Sequence, residues 1–271
     1  MPQTTSALES ELRALDGFKD GRHSSLLEEI IGRIEGDPAS TPDVPPDDEL
    51  PRWIDHTLLS PDAAPAQLRS FLKECRDYGF ASACINPCYV PLASEELEGS
   101  EVKVCTVVGF PLGSTLPTVK RFETSEVIES GAQEVDMVLP VGALKGGEWS
   151  YVREDISYVV EAAEESGRSV PVKVILETAL LSDAEKAVTC LLAEEAGADF
   201  VKTSTGFSTG GATLHDVQLM HQMVGGTLGI KASGGVGSRS DAHDMIKAGA
   251  TRIGASGSVQ IVSGTSASAS Y

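Results

Sequence analysis

The sequence predicts an α/β protein, a (β/α)8 TIM barrel with an N-terminal helical extension, and three observations lead to it. Short β-rich runs alternate with amphipathic segments through residues 52–262. Many of the helical segments close on Gly or Gly-Ala, a stop signal ahead of the next strand. No G-x-G-x-x-G follows the first strand, which places a doubly wound open sheet second.

Residues 1–51 stand apart. "TTSALESELRALDGF" and "HSSLLEEIIGRIEGD" place Leu8, Leu12, Leu15 and Leu26, Ile30, Ile34 at helical spacing. "DPASTPDVPPDDELP" follows, a connector too rich in Pro and Asp for regular structure. Two short helices and a linker are expected, packed on the barrel or on a neighbouring subunit. The strands of the barrel are "RWIDHT", "SACIN", "VKVCTVV", "EVDMVL", "PVKVILE", "DFVKTS", "GIKAS" and "TRIGAS". Helical segments between them include "APAQLRSFLKECRDYG", "TVKRFETSEVIESG", "YVREDISYVVEAAEESG", "SDAEKAVTCLLAEEAG" and "SRSDAHDMIKAG"; "YVPLASEELEG" and "SGSVQIV" are shorter. Residues 263–271, "SGTSASASY", read as a flexible tail.

The chain of 271 residues is 41% hydrophobic and 23% charged, enough for a sizeable core. A net charge of −19 excludes nucleic acid, whose phosphates need clustered Lys and Arg. Such acidity resembles the surfaces of proteins from salt-loving organisms, where screening removes the self-repulsion. No run of apolar residues is long enough for a membrane span, and the N-terminus lacks the features of a secretory signal. The five cysteines form no CxxC and no disulfide framework, so a reducing cytoplasmic setting is expected. Cys84 and Cys88 have a metal-like spacing, but no nearby His completes a set, and no metal is expected.

In such a barrel the chemistry sits at the C-terminal ends of the strands. Those ends carry Asp55, Cys84 and Asn86, Thr106, Asp136, Lys173 and Glu177, Lys202, and Lys231. Lysines on three consecutive strands repel one another, and burial and like charge both lower an ammonium pKa. A neutral amine in a dry pocket attacks carbonyls, so Lys202 and Lys231 are candidate Schiff-base residues. Lys173 fits better as an inward partner of Asp136. The alternative is a charge network that only holds the core. The Gly/Ser loops "TSTGFSTGG", "ASGGVGS" and "IGASGS" follow strands 6, 7 and 8, where barrels often seat a phosphate. A small phosphorylated carbonyl compound is the substrate class these features suggest.

These residues resemble the deoxyribose-phosphate aldolase (DeoC) family of Schiff-base aldolases over residues 52–262. The likeness rests on "IDHTLLSPDA", "ACINPCYVPLA", "VCTVVGFPLGS", "GAQEVDMVLPVGALKGG", "VKVILETALL", "FVKTSTGF", "IKASGGV" and "RIGAS". It implies that Lys202 forms the imine, that Lys231 beside it favours the neutral amine, and that Asp136 belongs to the proton relay. It also implies a reversible cleavage of 2-deoxy-D-ribose 5-phosphate to D-glyceraldehyde 3-phosphate and acetaldehyde, without metal or organic cofactor. Asp55 and Thr205 are auxiliary candidates, Gly206, Gly234, Gly235, Gly254 and Ser256 are phosphate-binding candidates, and Tyr271 is a candidate for proton transfer at the enamine carbon. Gly237 stands where the family commonly has an arginine, with Arg239 as a possible replacement. Phosphorylated sugars and aldehydes are the implied partners, with a homo-oligomer expected. A lysine aldolase for a longer sugar phosphate and a non-catalytic phosphate-sugar barrel are the rival readings.

Overall fold

The computed structural model describes residues 5–19, 21 and 23–265. Eight parallel strands close into a barrel in sequence order: β1 Ile54–Leu58, β2 Ser82–Ile85, β3 Lys103–Val108, β4 Glu134–Val138, β5 Val172–Ile175, β6 Phe200–Lys202, β7 Gly229–Ser233 and β8 Arg252–Ala255. Each expected strand is present: β7 keeps its expected bounds, β1 starts two residues later and ends one residue later, and the others are shorter by one or a few residues at their ends. The outer ring includes helices Pro65–Tyr78, Val90–Glu96, Pro117–Glu129, Trp149–Glu165, Asp183–Glu195, Arg239–Lys247 and Ser258–Ser263. Helix Leu214–Val224 fills the β6–β7 connection, for which the sequence reading names no segment; Thr213 caps it by accepting from the Asp216 amide at 3.0 Å.

Strand alternation divides the side chains into two environments. Outward residues such as Val104, Val135, Val174, Val201, Ile230 and Ile253 are buried under the helices and make the apolar core. Inward residues include Asp55, Ser82, Cys84, Cys105, Asp136, Lys173, Lys202 and Lys231, all buried. Where barrels of this class usually hold layers of branched apolar side chains, this one holds charge.

The N-terminal extension forms three helices, Thr5–Ala14, Asp16–Lys19 and Ser24–Glu35, the first expected segment being divided at Leu15. Leu8, Leu12, Leu26 and Ile30 are buried, and the extension lies against helices Asp183–Glu195 and Leu214–Val224 of the same chain. Arg33 pairs with Glu29 and Glu194, each at 2.7 Å, and donates to the Met223 carbonyl. The linker is strapped down by His221 Nε2 at 2.9 Å from the Ala39 carbonyl and by Arg239 at 2.5 Å from Asp47. Leu12→Ala or Ile30→Ala is expected to cost about 2–5 kcal/mol. The urea midpoint measures it; an unshifted midpoint would mean that the extension does not share the cooperative core.

Candidate active site

The barrel interior is one connected set of ion pairs. Asp136 on β4 meets three lysines: Lys173 Nζ lies 2.8 Å from Oδ1, and Lys202 and Lys231 each lie 2.7 Å from Oδ2. The register makes this meeting possible, because Asp136 pairs with Lys173 across β4–β5 and Lys202 pairs with Lys231 across β6–β7. Lys231 is also 2.5 Å from Asp55 Oδ2. Lys173 is also 2.6 Å from Glu134, with Asp55 at 3.9 Å. Arg252 reaches the same two carboxylates, Asp55 at 2.6 Å and Glu134 at 3.2 Å, and lies over the Phe200 ring. Ser82 donates to Asp55 Oδ1 at 2.7 Å.

Like charge alone predicts that these lysines hold their protons weakly. The structure reverses this for Lys173 and Lys231, because carboxylates from β1 and β4 stand between them. Burial alone would pull Lys231 down, but Asp136 and Asp55 outweigh it and hold the ammonium above its ordinary range. Burial is likewise outweighed at Lys173, chiefly by Asp136, Cys105 and Glu134. Burial would raise the Asp136 carboxyl, yet Lys173, Lys202 and Lys231 hold it well below the usual carboxylate range. Asp55 is lowered in the same way, with burial opposed by Lys231, Arg252 and Lys173.

The pH dependence of stability follows in sign. The depressed carboxylates contribute fully above about pH 4, and their contribution is lost as pH falls towards their folded values. The raised lysines contribute fully below about pH 10, and theirs is lost as pH rises beyond that. A melting-temperature profile should therefore show these buried groups titrating only at its acid and alkaline ends. A stability transition near neutrality that Asp136→Asn removes would contradict the pairing.

Lys202 differs from the other two. Among the described residues its ion pair is with Asp136 alone, whereas Lys231 and Lys173 each contact a second carboxylate. Three carboxylates (Asp55, Glu134, Asp136) face four cations (Lys173, Lys202, Lys231, Arg252). Of the three lysines, Lys202 is the one that contacts a single carboxylate. It ends β6, at the barrel's C-terminal face, where chemistry is placed in this fold.

Glu177 and Thr205 lie beside it. The Thr205 hydroxyl donates to Glu177 Oε2 and accepts from the Phe207 amide at 3.0 Å, so in this structure it clamps the loop after β6. Burial raises the Glu177 carboxyl, opposed by its hydrogen bonds to Thr205. Glu177 also has φ +58°, a left-handed backbone that side chains disfavour.

The glycines gather at the same face. Gly206, Gly234 and Gly235 have φ near +80°, and the Ala212 amide is 2.9 Å from the Gly234 carbonyl and 3.1 Å from that of Ser233. A Cβ on Gly254 would overlap Ser233 Oγ and come within 3.0 Å of Lys231 Cε. Gly254→Ala is therefore expected to displace Lys231 and lower activity, with stability loss of about 1–3 kcal/mol for an overpacked core. Rates at wild-type level would contradict that contact. Ser256 follows β8 and is partly exposed. The Gly237 amide is already taken by Asp241 Oδ2 at 3.1 Å. Arg239 does not replace the missing arginine, since its guanidinium bonds the Ile261 and Val262 carbonyls and Asp47. Tyr271 lies outside the described residues.

Other expectations change with the geometry. Thr106 turns out of the barrel and donates to the Ile85 carbonyl at 2.9 Å; the inward residue of β3 here is Cys105. Asn86 bonds the Ser60 carbonyl at 3.3 Å. Glu134, Arg252, Ser82 and Cys105 belong to the charged interior and were not singled out from sequence. Alternation carried the signal, because Glu134 is two residues before Asp136 and Ser82 two before Cys84.

Comparisons with known proteins agree with this fold. The model of the DeoC/LacD family aldolases matches residues 53–264. Curated deoxyribose-phosphate aldolases of Streptococcus gordonii and Enterococcus faecalis are each 57% identical, over 82% and 80% of this chain and 100% and 97% of their own. Among solved structures, the candidate deoxyribose-phosphate aldolase of Coccidioides immitis superposes with TM-score 0.82 at 35% identity, covering 89% of this chain and 97% of its own. The tetrameric deoxyribose phosphate aldolase of Aeropyrum pernix gives 0.76 at 34%, covering 89% and 96%. With three lysines on one buried aspartate in a closed barrel, and with these relatives, the chain belongs to the DeoC/LacD family of aldolases.

Proposed function

We propose that this protein is a deoxyribose-phosphate aldolase, a class I aldehyde-lyase that reversibly cleaves 2-deoxy-D-ribose 5-phosphate to D-glyceraldehyde 3-phosphate and acetaldehyde. The observation that carries the reading is the shared Oδ2 of Asp136, 2.7 Å from both Lys202 and Lys231. One oxygen that touches both amines can take a proton from either and return it.

Lys202, deprotonated, attacks C1 of the open-chain aldehyde. Asp136 and Lys231 move protons while the carbinolamine loses water to become an iminium. Deprotonation of the C3 hydroxyl breaks the C2–C3 bond, and its electron pair flows into the iminium, leaving an enamine on Lys202. Glyceraldehyde 3-phosphate departs, C2 is reprotonated, and hydrolysis frees acetaldehyde. The iminium is the electron sink of this scheme. Asp55 acts through Lys231, which it pairs at 2.5 Å. Amides of Gly206, Gly234, Gly235, Gly254 and Ser256 are assigned to the phosphate, and Thr205 to the placement of the substrate end of its loop. Tyr271 is assigned to protonation of the enamine carbon; its removal should lower turnover much more than affinity, and an unchanged rate would remove it from the mechanism.

Borohydride trapping tests the reading directly. Incubation with acetaldehyde followed by reduction should leave a two-carbon adduct on Lys202, located by peptide mass. Cleavage of deoxyribose 5-phosphate should yield both aldehydes; no adduct and no cleavage by folded protein would overturn the assignment.

The cellular setting proposed is cytoplasmic and the assembly a homo-oligomer. No helix among the described residues is long and apolar enough to cross a membrane. Leu112, Leu116, Val119 and Phe122 are exposed on and before helix Pro117–Glu129, and one relative is a tetramer. The net charge of −19 is assigned to a salt-rich medium. Melting temperature should then rise with KCl as screening relieves self-repulsion; a flat or falling curve would speak for an ordinary acidic protein.

A further inference from the structure

Cys84 and Cys105 are inward sulfurs of β2 and β3, and neither has a role in the imine chemistry above. The register sets them directly opposite one another, and both are fully buried. Opposite residues of neighbouring strands point to the same face, so the thiols meet inside the barrel. Cys105 Sγ lies 3.3 Å from Asp136 Oδ1, and Lys173 Nζ donates to that sulfur at 3.4 Å. The two sulfurs and an Asp136 carboxylate oxygen all lie within 4.8 Å of one another. Around a tetrahedral ion, metal–thiolate bonds of about 2.3 Å place two sulfurs about 3.8 Å apart, so sulfurs within 4.8 Å of each other need a shift of about 1 Å or less to close on a cation.

We propose that Cys84 Sγ, Cys105 Sγ and a carboxylate oxygen of Asp136 form an inhibitory site for one thiophilic divalent cation of the Zn2+ or Cd2+ class. Two thiolates with a carboxylate suit a borderline or soft ion, and the fourth position is left to water or to an amine. Charge balance explains how a cation can sit among three lysines. Two thiol protons leave as one dication enters, so the net charge of the interior does not change. Inhibition follows from the shared ligand, because an ion on Asp136 takes away the carboxylate that joins Lys202 to Lys231.

The pairing differs from the one that sequence spacing suggests. Cys88 is exposed in the turn Pro87–Tyr89, on the outside of the site, and does not complete the cluster. A second grouping of Asp55, Cys105 and Glu134 shares Cys105. It offers one sulfur instead of two, which favours the first for a thiophilic ion.

The metal-binding part stands without the aldolase reading, whereas the inhibitory part rests on it, and the test separates them. The reduced full chain is titrated with Cd2+, following thiolate-to-metal charge-transfer absorption and the bound ion by native mass spectrometry. In parallel, acetaldehyde is trapped with borohydride. One ion per chain with a charge-transfer band is expected, with loss of the Lys202 adduct at full occupancy and recovery on adding a chelator. Cys88→Ser should behave as the parent, while Cys84→Ala and Cys105→Ala should each lose the band. Should either variant fold poorly, alkylation of the parent protein, mapped by peptide mass with and without Cd2+, reports whether Cys84 and Cys105 are protected together. No bound ion, an ion held at Cys88, or a band that survives in Cys84→Ala would overturn the site. Binding at Cys84 and Cys105 that leaves the adduct intact would overturn the inhibition.

Discussion

Lys202→Ala is expected to abolish the borohydride-trapped adduct and to lower kcat/KM by about 10⁴-fold or more, the scale on which removal of a covalent nucleophile is felt. The barrel should remain folded. Taking away Lys202 leaves Asp55, Glu134 and Asp136 facing Lys173, Lys231 and Arg252, an equal count of opposite charges. Lys202→Arg should be equally inactive although it keeps a cation, because a guanidinium stays protonated and does not form an imine with substrate. Adduct mapping together with near-ultraviolet circular dichroism decides the matter. An adduct that moves to Lys231 in the alanine variant would transfer the nucleophile to β7.

Asp136→Leu is expected to damage the fold itself. It takes from Lys202 its one ion-pair partner among the described residues, and one partner from each of Lys173 and Lys231. Breaking a buried pair by deleting one partner costs about 3–5 kcal/mol. The variant should recover part of this loss at alkaline pH, where uncompensated lysines give up their protons, whereas the parent protein loses stability there. This opposite slope is the diagnostic readout. Urea midpoints at neutral and alkaline pH provide it, and parallel slopes would show that Asp136 does not hold the lysines charged. Asp136→Asn keeps the volume and should lie between the two in stability while still losing the proton relay.

Much of the fold was legible because each strand is a short run such as "VKVCTVV" or "EVDMVL" set between glycine-closed helices. Strand order needed no long-range information, since neighbours in sequence are neighbours in the barrel. Lys202 was visible as a charge ending an apolar run, and Lys231 and Asp136 as charges inside short strand-like runs, where burial of a charge demands a reason. The charge state of the lysines was less accessible. It depends on Asp55 of β1 reaching past β8 to Lys231 on β7, and on Glu134 of β4 meeting Lys173 on the neighbouring β5, contacts between strands that no local pattern records. Arg252 was hidden for a different reason: it begins β8, so that it reads as a surface residue, yet its side chain turns inward to two carboxylates. Helix Leu214–Val224 went unnamed because its apolar residues are interrupted by His and Gln, although Val217, Met220 and Val224 mark its buried face.

A barrel filled with paired charge also constrains how such an enzyme can acquire new tasks. Single substitutions inside it strand a partner, and their effects do not add, so inherited change there requires at least two coordinated events. The aromatic rim is held by a contact of another kind: Phe110 and Phe207 meet edge to face at 5.3 Å, and Phe207 is exposed. Drift in the range of accepted aldehydes will therefore accumulate among rim residues, while the chemical step is inherited as a block.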